Sequence, residues 1–231
     1  MSIAENVAAV RENIAAAAKA AGRAEKDILL VAATKMNDAG RVREAIRAGV
    51  DICGENRVQE MLEKNAQDAY RGAPLHFIGH LQKNKVKQVV GLAQLIHSVD
   101  SLELLAVISR TAESRGLVQD VLLEVNVGAE TSKSGFSPDQ ICFALAEAAK
   151  FGSINVRGLM AIPPICRFPE ENRPYFALMK QLFVDNEEKK YDNVHMDFLS
   201  MGMSGDYTEA IAWGANMIRV GSAIFGKRIY K

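Results

Sequence analysis

The chain has 231 residues, 48% of them hydrophobic, with acidic and basic side chains balanced at 28 each. That length suits one large α/β domain or two small ones, and the apolar content is enough for a sizeable core. The charge balance leaves no global field to favour nucleic acid or an acidic membrane surface.

Cys53, Cys142 and Cys166 are far apart and odd in number, and read as reduced thiols of a cytosolic protein. The first 23 residues are alanine-rich but carry Glu5, Arg11 and Glu12, so they lack a signal peptide's apolar core. No segment approaches the roughly 20 apolar residues needed to cross a bilayer. A soluble, cytoplasmic protein is expected.

Val7, Val10, Ile14, Ala17, Ala18 and Ala21 fall at helical spacing, with Gly22 as a stop. The run from Ile28 to Lys35 is nearly continuous in apolar residues and too short for an ordinary helix, so it reads as a strand buried on both faces. Asp38 then caps a helix carrying Val42, Ala45 and Ile46, which Gly49 closes. A second strand over 50–54 opens into Glu55-Asn56-Arg57, and Val58, Met61, Leu62 and Ala69 stripe the next helix. Strand three is read over 75–79, with His80 past its end and a helix striped by Val86, Val89, Val90 and Ala93. Strand four, 95–99, precedes a helix marked by Leu105, Ile108 and Ala112, and strand five spans 121–127. Ser137-Pro138-Asp139-Gln140 makes a helix start, with serine as cap and glutamine at the capping-box position. Strand six runs from Ile154 to Ile162, a long helix carries Tyr175, Leu178, Met179, Leu182 and Phe183, and strand seven covers 194–200. Asp206 and Glu209 read as a second capping box, and Met217–Val220 is strand eight.

Eight strands separated by single amphipathic helices predict an α/β fold, one (β/α)₈ barrel over 1–231 with an extra amino-terminal helix. An open doubly wound sheet also alternates strand and helix, but the glycine-rich dinucleotide loop expected after strand one is missing. So is a helix after strand eight, whose place the amino-terminal helix is expected to take.

A barrel collects Lys35, Asn56, His80, Ser98, Asn126, Met160, Ser200 and Arg219 at one rim, where active sites of this fold are built. Singly, each has an ordinary explanation: His80 a cap, Asn126 a turn, Met160 packing. The stretches 199–205 and 219–226 are rich in glycine and serine, which lets backbone N–H groups approach an anion, with Ser200, Ser204 and Ser222 as added donors. Loops after strands seven and eight are the usual phosphate site of such barrels. A lysine amine beside a phosphate cradle points to an aldehyde that carries a phosphate. Pyridoxal 5'-phosphate and a sugar-phosphate aldolase substrate both fit. Arg219 favours the first, because a permanently protonated arginine on strand eight can donate to a pyridine nitrogen.

The segments GENRVQE (54–60), HFIGHLQKNK (76–85), LEVNVGAETSKSGF (123–136), GLMAIPP (158–164), LSMGMSGDYTEAI (199–211) and IRVGSAIFGKR (218–228) resemble the pyridoxal phosphate homeostasis protein family, formerly described as alanine racemase amino-terminal domain-like. The resemblance runs in order from about strand one to the end. It implies a barrel similar to that racemase domain, with Lys35 as the Schiff-base lysine. It also implies Asn56 near the ring, Arg219 on the pyridine nitrogen, and Ser200, Gly221 and Ser222 near the phosphate. His80 and Met160 complete the expected cofactor-binding set. The family often has serine before the lysine and proline soon after, whereas this chain reads Ala33-Thr34-Lys35-Met36-Asn37-Asp38. Thr34 keeps a hydroxyl, and the loop after Lys35 is expected to differ.

A racemase moves protons on both faces of its substrate, and the resembled racemases supply one base from a second domain that this chain is read to lack. The expectation is therefore a monomeric, non-enzymatic protein that holds pyridoxal phosphate and supplies it to apo-enzymes. A small cofactor-dependent racemase or lyase is the alternative, and a lysine-dependent aldolase the third reading. Lys133, after strand five, is the nearest candidate for a second proton-transfer group, against the plainer reading of a solvated loop lysine.

Overall fold

A computed structural model describes residues 1–130, 134–189 and 191–226. Its strands are β1 (Leu29–Ala33), β2 (Ile52–Glu55), β3 (Leu75–Phe77), β4 (Leu95–Val99), β5 (Gln119–Val125), β6 (Ile154–Ala161), β7 (Val194–Met203) and β8 (Met217–Val220). All pair in parallel and in chain order, and β8 returns to β1 to close the barrel. The helices are α1 (Ile3–Ala20), α2 (Ala39–Arg47), α3 (Val58–Asn65), α4 (Val86–Val89), α5 (Leu102–Glu113), α6 (Ile141–Ala148), α7 (Arg173–Glu187), α8 (Tyr207–Ala212) and α9 (Ser222–Phe225).

The apolar runs form strands because both of their faces are covered. Leu30, Ala32, Cys53, Phe77, Ile96 and Leu123 point outward into the main core under the helices. Val31, Ile52, Ile78, Leu95, Leu122, Met160 and Met217 form a second cluster inside the barrel. Side chains alternate along each strand as usual, but with apolar residues on both faces the sequence shows a continuous run instead of a period of two.

The amino-terminal helix seals the barrel's seam. Ser2 and Glu5 form its capping box, with Glu5 N–H donating to Ser2 Oγ and Ser2 N–H to Glu5 Oε2. Val7, Val10, Ile14 and Ala18 are buried, and the helix packs against α2, α8 and α9. It therefore takes the place expected of it, although a one-turn helix, α9, does follow β8.

Other boundaries differ from the sequence reading for local reasons. β1 ends at Ala33 rather than Lys35, because the chain turns through Met36 at φ +62°. β5 stops at Val125, since Asn126 N–H donates to Phe136 O and the strand gives way to a turn. α4 is a single turn, cut short by Gly91 at φ +78°. Asp206 does not close a capping box with Glu209. Its carboxylate accepts from Met203 N–H and Asn172 Nδ2, while Glu209 pairs with Arg173. No helix among the described residues is long and apolar enough to cross a membrane.

Ile14 is fully buried in the helix that covers the seam. Ile14→Ala is expected to lower unfolding stability by about 2–5 kcal/mol in urea titrations.

Candidate functional site

Closure decides which rim residues meet. Ala32 pairs with Val220 across the β1–β8 seam, so the segments leaving both strands run side by side. They line a cleft of about 360 Å³ with Lys35, Met36, Asn37, Arg41, Gly221 and Ser222 in its walls. On one side the N–H groups of Gly221 and Ala223 converge on a single oxygen, Ser204 Oγ, at 3.1 and 3.3 Å. Arg41 is fixed nearby by Asn37 Oδ1 and the Phe225 carbonyl.

Arg219 lies inside the barrel at 4% exposure. Its Nη1 donates to Ser200 Oγ at 2.6 Å and its Nη2 to the Ala161 carbonyl at 2.9 Å. Burial pushes the guanidinium down to about 10, against the pull of Glu124 and Asp206. It remains charged at neutral pH. Ser200 Oγ lies 3.1 Å from His97 Nδ1, and His97 Nε2 lies 3.0 Å from His76 Nδ1. Burial holds both imidazoles well below their usual range, so each is neutral. With Arg219 donating to Ser200, one consistent assignment has Ser200 donating to His97 and His97 to His76.

A second cleft, of about 240 Å³, opens between the ends of β2 and β6 and is lined by Asn56, His80, Ser98, Glu124, Asn126 and Ile162. The Asn56 Oδ1 atom is buried and has no hydrogen-bond partner among the described residues. Gly79 passes so close to the Asn56 backbone that a Cβ there would fall 2.1 Å from the Asn56 main-chain carbonyl oxygen. Glu124 enters this cleft from β5. Burial and Asp100 push its carboxyl up to about 7, against the opposing charge of Arg219.

The predicted residues thus divide. Lys35, Gly221 and Ser222 share the first cleft, and Asn56 and His80 the second. His80 is exposed, with Nδ1 3.2 Å from Asp100 Oδ2. Ser200 and Met160 are fully buried within the barrel, Ser200 against Arg219 and Met160 in the inner apolar cluster. Ser98 donates to the Gly79 carbonyl, and Asn126 Nδ2 to the Glu130 carbonyl, so both also brace the rim backbone. Lys133 lies outside the described residues.

Sequence reading missed His97, Glu124 and the buried pair of Glu55 and Lys64. Glu124 interrupts the otherwise apolar Val121-Leu122-Leu123-Glu124-Val125, and a carboxylate there needs a partner or a function. His97 stands in the same way inside strand four. Lys64 gave no such signal, because its spacing from Glu60 is that of an ordinary surface pair.

The closed parallel barrel has the architecture of the alanine racemase amino-terminal domain. The family model described as "Alanine racemase, N-terminal domain" matches residues 6–229. The "Pyridoxal phosphate homeostasis protein" of Aquifex aeolicus (strain VF5) is 41% identical, covering 100% of both chains. A structure of an unknown protein from Bifidobacterium adolescentis is 37% identical with a TM-score of 0.88, covering 96% of this chain and 94% of that one. PipY of Synechococcus elongatus PCC7942, solved with PLP bound, is 31% identical with a TM-score of 0.83, covering 97% and 100%. The chain belongs to the pyridoxal phosphate homeostasis protein family.

Folding raises the proton affinity of Glu124. Its contribution to stability is therefore complete below about pH 4.5 and lost as pH rises toward 7. Relative to Glu124→Gln, which cannot titrate, the native chain should lose about 3 kcal/mol of unfolding stability across that window. His76 and His97 act in the opposite direction, and the subtraction cancels them. Urea unfolding of both proteins at several pH values measures the difference.

Proposed function

We propose that this chain binds pyridoxal 5'-phosphate, with Lys35 as its Schiff-base lysine, and acts in holding and supplying that cofactor without amino-acid turnover. One observation carries the reading: Lys35 and the Gly221-Ser222 turn line one cleft across the barrel seam, and at that turn the Gly221 and Ala223 N–H groups converge on one oxygen. When bound, the cofactor supplies an aldehyde carbon that condenses reversibly with a primary amine, and a phosphate that wants hydrogen-bond donors.

The chain's own groups fit those demands. The Gly221 and Ala223 amides already point at an oxygen, Ser204 Oγ, the kind of acceptor a phosphate provides. Ser222 stands exposed at the same turn. Arg219 is a fixed cationic donor two residues before that turn, held by Ser200 and Ala161. Its role is to donate to the pyridine nitrogen, which keeps that nitrogen unprotonated and weakens the ring as an electron sink. Asn56 Oδ1 is buried without a partner among the described residues and suits a ring substituent. In this reading Met160 forms the apolar floor, Ser200 steadies Arg219, and His80 borders the outer edge.

The relatives' name, homeostasis protein, and the open cleft support a carrier that exchanges its cofactor over an enzyme that encloses its reaction. The same reading has the chain work as a single-domain monomer in the cytoplasm and deliver the cofactor to apo-enzymes, with no role for nucleic acid or membrane. A racemase or lyase is the second reading, favoured by Glu124, whose carboxyl near 7 can hold or release a proton at the rim.

Borohydride reduction of the loaded protein is expected to fix the cofactor to the peptide containing Lys35, read by mass spectrometry. A label found only on another lysine overturns the assignment. Arg219→Gln and Ser222→Asp should each weaken binding by about 10- to 100-fold, the first by loss of a charged donor, the second by repelling the phosphate. Stereospecific amino-acid turnover that Lys35→Ala abolishes would replace the carrier reading with the second one.

A further inference from the structure

Both peptide groups that flank Lys35 are held by side chains of one helix. Lys64 Nζ donates to the Thr34 carbonyl at 2.8 Å, and the Met36 N–H donates to Glu60 Oε2 at 2.7 Å. Glu60 and Lys64 stand one turn apart on α3, so the helix grips the chain immediately before and after the lysine.

The grip is anchored in a buried ion cluster. Lys64 Nζ lies 2.7 Å from Glu55 Oε1 and 3.4 Å from Glu60 Oε2. Glu55 Oε1 also accepts from Thr34 Oγ1 at 2.5 Å and from Tyr70 OH at 3.1 Å. Glu55 is 0% exposed and Lys64 6%. A buried pair of this kind is a poor way to gain stability, because well-packed apolar residues of similar volume serve as well or better. What it provides is direction: a fixed donor for one peptide and, through Glu60, a fixed acceptor for the next. Met36 at φ +62° shows why the acceptor matters. A side-chain-bearing residue there relaxes to negative φ unless something holds it.

We propose that Glu60 and Lys64 are positioning residues that set the backbone on both sides of Lys35 and so aim its amine across the cleft. The inference rests on the reading of Lys35 as the amine that holds pyridoxal phosphate. Thr34 takes part through its hydroxyl and its carbonyl, which ties the residue before the lysine to the same cluster. Glu60 acts on the amine only through the Met36 peptide, and Lys64 only through that of Thr34.

Lys64→Met strands Glu55 without its cation and risks misfolding, so Glu60, with 20% of its side chain exposed, carries the test. Glu60→Ala removes the acceptor for Met36, whereas Glu60→Gln keeps an oxygen in its place. Each full-length variant is titrated with pyridoxal phosphate. Affinity, the pH midpoint of the bound cofactor's absorbance and the borohydride label at Lys35 are read, with urea unfolding as a control. Glu60→Ala is expected to bind about tenfold more weakly and to shift the pH midpoint, while Glu60→Gln restores both. A native chain labelled at Lys35, with a Glu60→Ala variant matching it in affinity and midpoint, overturns the clamp alone. A native chain that takes no label at Lys35 overturns the cofactor reading beneath it.

Discussion

The pairing of β8 with β1 is the constraint on which the rest depends. In register, Val31 faces Arg219 and Ala32 faces Val220, so chain segments nearly 190 residues apart come within one strand spacing, about 4.8 Å. Neither segment makes a site alone. One brings Lys35 on a turn, and the other brings the Gly221 and Ala223 amides. The seam is stapled from outside by α1, whose Asn6 donates to the Ile224 carbonyl and whose Asn13 donates to Tyr207 OH. Arg11 of the same helix reaches the Gly49 carbonyl and Asp51, just before β2. The amino-terminal helix thus ties both sides of the seam, and its apolar stripe bears indirectly on the cleft.

Inside the barrel, alternation leaves every second residue facing the axis, and on β8 that residue after Met217 is Arg219. A guanidinium taken out of water is costly unless its donors are satisfied. Two of them are met by Ser200 and Ala161, and Glu124 contributes a favourable charge from β5. Desolvation pushes Glu124 and Arg219 toward their neutral forms, while each charge favours the other. The neutral pair His97 and His76 extends the chain of polar contacts behind Ser200 without adding a competing cation. The outcome is a guanidinium whose direction is set by the barrel's own groups.

The strands were legible because a barrel covers both their faces, and the runs around Leu30, Ile96, Leu122 and Met217 had no other use at that length. Rim positions followed from strand ends, which is how Lys35, Asn56 and His80 emerged, while Gly221 came from the glycine- and serine-rich stretch after strand eight and from the family resemblance. The division of the rim was not legible. It depends on how the chain turns at Met36, which has no residue signature. Asp206 shows a related limit. Its spacing to Glu209 spells a capping box, yet Asn172 and Met203 take its carboxylate. Lys64 is the sharpest case, since an i,i+4 pair reads as solvated surface until tertiary packing buries one member.

The unusual loop after Lys35 can be understood residue by residue. Met36, at φ +62°, is a position that proline cannot occupy, because its ring fixes φ near −65° and it has no N–H for Glu60. Asp38, at φ −73°, has a backbone that proline would accept. Here the side chain is used instead, with Oδ1 capping α2 through the Arg41 N–H at 2.9 Å. Asn37 bridges the two, its Nδ2 donating to the Lys35 carbonyl and its Oδ1 accepting from Arg41 Nε. The loop is therefore held between the contacts of α3 and the cap of α2. Lys35 stands on the α3 side of that boundary, where it lines the cleft across the seam.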